Sequence, residues 1–81
     1  MTAEGHRLTP GDFVRILAMP SGIVKDLPKE EADFLLRSVG DFGRIETLQG
    51  NGTAEVELRD RRRRSIHFIF MAISDIEPVR R

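Results

Sequence analysis

A chain of 81 residues is a single folding unit, since domains cluster around 100–150 residues and a piece this short does not divide. With 40% hydrophobic and 32% charged residues it is not a disordered tail, and with no cysteine it lacks the disulfides by which small secreted domains supplement a thin core. A formal net charge of zero removes the simplest argument for a nucleic-acid binder, and no apolar run approaches the roughly 18 residues that span a bilayer.

Residues 1–9 are polar and aperiodic, which predicts a flexible N-terminal arm ahead of one domain over 10–81. Nothing in Met1 to Pro10 has the apolar core of a signal peptide, so the expected compartment is the cytoplasm, with no membrane partner. Pro10-Gly11-Asp12 is a turn signal. Phe13 to Leu17 then alternates as a strand, with Val14 and Ile16 on one face and Phe13, Arg15 and Leu17 on the other. Met19-Pro20-Ser21-Gly22 breaks it, and Ile23 and Val24 are two apolar anchors of an excursion from the sheet.

Leu27-Pro28-Lys29-Glu30-Glu31 opens a helix, with proline at the first helical position and carboxylates near the positive end of the dipole. Ala32, Leu35, Leu36 and Val39 share one helical face by spacing and are expected to be its buried stripe. Gly40 is the expected stop. A second strand follows over Arg44 to Leu48, and Gly50-Asn51-Gly52 is a hairpin turn. The third strand, Thr53 to Arg59, puts Ala54, Val56 and Leu58 inside and Glu55, Glu57 and Arg59 outside.

Asp60 to Arg64 is the next turn, and Ser65 to Met71 the fourth strand. Ile66, Phe68 and Phe70 form one apolar face of it, while His67, Ile69 and Met71 form the other, so this strand is apolar on both sides. Ala72 to Asp75 reads as a short 3₁₀-type turn, and Ile76 to Val79 as a fifth strand whose Pro78 suits an edge.

Five short strands joined by tight turns resemble a Src-homology-3-like (SH3-like) small barrel, a mainly β fold, here with one short helix inserted between strands 1 and 2. Gly11-Asp12-Phe13-Val14-Arg15-Ile16 looks like the opening strand of such barrels. Gly40-Asp41-Phe42-Gly43-Arg44-Ile45 resembles the glycine-containing turn of KOW-type domains in ribosomal and transcription proteins. Leu27-Pro28, a short helix and then Gly40 to Ile45 come in the order found in the barrel of the nitrile hydratase β subunit. The resemblance covers about residues 10–79 and implies a fold more than an activity. The metal of nitrile hydratase is held by the other subunit, so no ligand carries over. Peptide-binding Src-homology-3 domains need an aromatic-lined groove; this chain has no Trp or Tyr, and its five Phe mostly fall where core is needed.

The candidate site residues are few. His6 and His67 are isolated and make no metal site. Ser65 and His67 share a strand face, and Asp60 lies nearby in sequence, but no nucleophile elbow accompanies them, so neither an enzyme nor a cofactor is expected. Asp26, Glu30, Glu31 and Asp33 are explained by the helix N-terminus. The run Arg61, Arg62, Arg63 and Arg64 is suited to phosphates through bidentate guanidinium contacts, to an acidic protein surface, or to solvent alone. Ile69 and Met71 need a cover, supplied by Leu35, Leu36 and Val39 of the helix or by a partner chain. The leading expectation is a non-enzymatic protein-interaction or accessory-subunit module; the alternative is a KOW-like RNA- or ribosome-associated protein using the arginine turn.

Overall fold

The computed structural model describes residues 8–79. Strand alternation organises it: Val14 and Ile16 point inward from strand β1 (Phe13–Ile16), while Phe13 and Arg15 point to solvent. The other strands are β2 (Phe42–Leu48), β3 (Thr53–Asp60), β4 (Ser65–Ala72) and β5 (Ile76–Pro78). All pair antiparallel in one sheet of order β4-β3-β2-β1-β5. Every neighbour but β5 follows in sequence; β5 comes back to lie beside β1. Among the described residues β4 and β5 are both edges, so hydrogen bonding does not close the sheet into a barrel. A 3₁₀ turn, Ile73–Asp75, links them.

The core draws on every strand: Val14, Ile16, Ile45, Ala54, Val56, Leu58, Ile69, Met71 and Ile76, with Leu35 from the helix. Gly43 is there because there is no room for anything larger. A Cβ on it would lie 2.7 Å from Val56 Cγ1 and 2.9 Å from Leu58 Cδ2. The β2–β3 hairpin turns through Gly50, Asn51 and Gly52, and only the last of these takes a positive φ, 84°. With Gln49 N–H donating to Thr53 C=O at 2.8 Å, this is the three-residue form ending in a left-handed glycine. The hairpin expected there stands, but Asn51 contributes no positive φ.

Between β1 and β2 the chain makes two helical segments instead of one: a single turn, α1 (Ser21–Val24), and a helix, α2 (Lys29–Arg37). Ile23, Val24 and Leu27 pack against the core as anchors. Pro28 is the N-cap, one residue before the expected place; its carbonyl accepts the Ala32 N–H at 2.9 Å, and its missing N–H lies outside the ladder. Gly40, with φ 92°, follows the end of α2 as expected.

The buried face of α2 differs from the expected stripe. Leu35 is 1% exposed, but Leu36 is 51% and Val39 44% exposed, and the half-buried Phe34 and buried Ser38 take their places. The end of the helix sets this rotation. Gly40 N–H donates to Ile16 C=O, and Ile16 N–H donates to Asp41 C=O, both at 2.8 Å, which ties the turn after α2 to β1. Ser38 is tolerated inside because its hydroxyl donates to Phe34 C=O at 2.9 Å. Of the expected flexible arm, residues 1–7, His6 among them, lie outside the described residues. Leu8 already packs against the core, and Thr9 N–H donates to Asp12 Oδ2 at 2.9 Å.

Candidate interaction surface

β4 decides which side chains a partner can meet. Its register against β3 pairs Asp60 with Ser65, Leu58 with His67, Val56 with Ile69 and Ala54 with Met71. Directly paired residues share a face, so Ile69 and Met71 join the core, 9% and 1% exposed. They are corrected as partner-facing residues: both are covered within the chain, in the same cluster as Leu35. The other parity, Ile66, Phe68 and Phe70, is turned outward and is 50%, 50% and 55% exposed.

One residue in the turn produces this exchange. A five-residue turn, Asp60 to Arg64, would pair Arg59 with Ser65 and carry Ile66, Phe68 and Phe70 inside. The observed turn has four residues, because Asp60 is still paired, and a one-residue slip moves every side chain to the other face. The signal that points to the shorter turn is Asp60 itself. Its Oδ1 accepts the backbone N–H groups of Arg62 and Arg63 at 3.1 and 3.4 Å, which closes the turn from its first position.

The same chemistry divides the arginine run. Arg63 is a strut: its Nη2 lies 3.1 Å from Glu30 Oε1 on α2, and its Nε lies 3.9 Å from Asp60 Oδ2. Arg64 carries the backbone through φ 53°, the left-handed step that ends the turn. Arg61 and Arg62 remain exposed and make no ion pair among the described residues. They line an open depression of about 810 Å³, whose wall also includes Arg37 at the end of α2, Arg44 on β2 and Phe13 and Phe42 beside it.

The outer face of the sheet is therefore aromatic as well as charged. Phe13, Phe42, Phe68 and Phe70 are each about half exposed, and Phe34 is only half buried, so the expectation that phenylalanine fills the core is corrected. The buried core is aliphatic instead, with Met71. Across the outer face one row reads Phe68, Glu57, Arg44, Phe13. Glu57 is nearly buried there and pairs with Arg59 Nε at 3.6 Å. The Arg15 guanidinium sits 5.3 Å from the Phe42 ring centroid and 3.8 Å from Glu77, so these two strands also carry a fixed cation–π contact.

Ser65 Oγ does lie 3.4 Å from His67 Nε2, as two residues on one strand face should. The His67 ring lies against Phe34, 4.8 Å between centroids and tilted by 33°. Both Asp60 oxygens face the arginine turn, so this carboxylate holds the turn and orients no imidazole. Among the described residues no three His, Cys, Asp or Glu side chains gather where they could hold a metal ion, and no helix is long and apolar enough to cross a membrane. No family model matches the chain, and no curated protein or solved structure is found to be similar to it.

Proposed function

We propose that the chain is a non-enzymatic protein-interaction or accessory-subunit module of the small SH3-like barrel kind, working in the cytoplasm, and that it holds its partner on the outer face of its sheet. The observation that carries this reading is the strip of Ile66, Phe68 and Phe70, half exposed on an edge strand that bears no charged residue from Ser65 to Ala72. An uncovered strip of large apolar side chains is an unusual outlay for a monomer, and aromatic side chains with arginine beside them are enriched where proteins meet. Edges are ordinarily protected by lysine, proline or a bulge, and β4 has none of these. The barrel reading is supported by the meander order with β5 returning beside β1 and by the 3₁₀ turn between β4 and β5.

The test is a comparison of the wild type with Phe68→Ser/Phe70→Ser, both immobilised and exposed to nuclease-treated native extract. The expected result is a defined protein retained in fixed ratio by the wild type and lost by the variant, whose thermal melt stays within a few degrees of the wild type. Retention of the same proteins in the same ratio by both would overturn the proposal.

A further inference from the structure

We propose that the depression beside the arginine turn binds a single-stranded nucleic acid, the guanidiniums taking phosphates and Phe13 taking a base. This goes beyond the protein contact assigned to β4 and uses other residues. Two features of the sequence weigh against nucleic acid: zero net charge, and five phenylalanines expected mostly in the core. The folded chain changes both.

The charge is sorted by pairing. Three carboxylates line the depression: Glu57, Asp60 and Asp41. Glu57 is nearly buried against Arg59, and Asp60 is buried and occupied by two turn amides and Arg63. Asp41 is the one left exposed and unpaired among the described residues. Against it stand Arg37, Arg44, Arg61 and Arg62, all exposed and none in an ion pair with a described residue. A locally positive surface thus sits on a neutral chain, and such a surface attracts a polyanion at short range. Each guanidinium presents a planar fork that matches phosphate oxygens.

The aromatic half of the site is equally local. Phe13 lies directly across the β1–β2 pair from Arg44 and is half exposed. Phe42 is next to it, held from one side by Arg15. A flat apolar ring within reach of phosphate-binding guanidiniums is the combination that single-stranded nucleic acid requires, because its bases are free to stack while its backbone is paired. A duplex keeps its bases stacked inside and has no use for the ring. An acidic protein segment would use the arginines but not Phe13.

Fluorescence anisotropy with labelled probes separates these cases: a 12-nucleotide uridine RNA, the matching thymidine DNA, a duplex of equal length and a polyglutamate of equal charge. The single strands are expected to bind tightest. If four arginines each neutralise one phosphate, affinity falls about fiftyfold between roughly 50 and 200 mM salt, at a log–log slope near −3. Arg61→Ser/Arg62→Ser and, separately, Arg37→Ser/Arg44→Ser are each expected to reduce that slope by about 1.4. Lys25→Ser/Lys29→Ser, which removes the same charge outside the depression, is expected to leave the slope nearly unchanged. Phe13→Ala is expected to weaken single strands roughly fivefold or more and to leave polyglutamate unaffected. The three double variants alter only exposed side chains, and an unchanged melt confirms that each is folded. The proposal is overturned if no single strand binds saturably at low salt, or if duplex or polyglutamate binds as tightly as the single strands. It is also overturned if the arginine variants behave like the lysine control, or if Phe13→Ala leaves the affinity for single strands unchanged.

Discussion

At Gly43 the backbone of β2 lies so close to β3 that a methyl group has nowhere to go. Val56 Cγ1 at 2.7 Å belongs to a β-branched side chain held in the core, and Glu57 C=O at 3.1 Å belongs to the sheet backbone, so neither yields easily. Gly43→Ala is expected to destabilise by about 1–3 kcal/mol, the range for overpacking, read from the midpoint of urea unfolding. A midpoint equal to that of the wild type would mean that β2 and β3 can separate there at no cost. Gly52 poses a different problem. Nothing crowds it, but its φ of 84° is a conformation that a β-branched residue resists, so Gly52→Val is expected to cost about 1–2 kcal/mol with the core unchanged. Asp60 acts through hydrogen bonds. Asp60→Ala removes the acceptor for two turn amides and is expected to cost about 1–3 kcal/mol, the scale for bonds to a charged group. Asp60→Asn, which keeps one carbonyl oxygen, is expected to recover part of the loss.

The strands were legible as elements because each signal was local. The alternation of Ala54, Val56 and Leu58 with Glu55, Glu57 and Arg59 needs no partner to be read, and the structure keeps the two faces, although Glu57 is buried on the outer one beside Arg59. The face of α2 was not legible, because two stripes compete. Ala32, Leu35, Leu36 and Val39 are all apolar, while Phe34, Leu35 and Ser38 include a hydroxyl that looks misplaced until its bond to Phe34 C=O is seen. Leu35 belongs to both stripes, so paired substitutions separate them. Leu35→Ala is expected to cost about 2–5 kcal/mol and Leu36→Ala under about 0.5 kcal/mol, measured by the same urea titration. Comparable losses at both positions would place the helix on the other stripe. The arginine turn was visible as a charged loop, but its division into a strut, a left-handed step and two guanidiniums with no ion pair among the described residues depends on Glu30 and Asp60 being brought to it. Arg63→Ser removes an exposed tie to α2 and is expected to cost no more than about 1 kcal/mol.

Across the whole molecule stability should follow position in the sheet. β2 and β3 are central, β4 is a long edge of eight residues and β5 a short edge of three. Amide hydrogen exchange is expected to be slowest in the inward-facing residues of β2 and β3, reporting global unfolding, and fastest among the strands in β5, which opens locally. Protection of β5 equal to that of β3 would mean that its edge is covered by something beyond its pairing with β1. The exposed aromatics are also a property of the whole sheet. Two antiparallel faces cannot both be buried by one short helix and its preceding turn, so the larger side chains were left on the side that the chain does not cover.

The order of five strands along the chain, a helical insertion between β1 and β2, the hairpin turn at Gly50 to Gly52 and the inward residues of β1 and β3 were determined by the sequence alone. Turn residues and two-residue periodicity act over a few positions and need nothing distant. What only the tertiary structure decided is the orientation of β4 and, with it, the identity of the exposed surface. Because β4 is apolar on both faces, its composition does not distinguish inside from outside, and the choice fell to the length of a turn held by one buried carboxylate. The same long-range contacts decided the charge of the surface. A neutral chain acquired a positive depression when Glu57 and Asp60 were buried against their partners and Arg37, Arg44, Arg61 and Arg62 were left with no ion pair among the described residues. Ion pairing between distant segments is a consequence of the fold, and composition does not contain it.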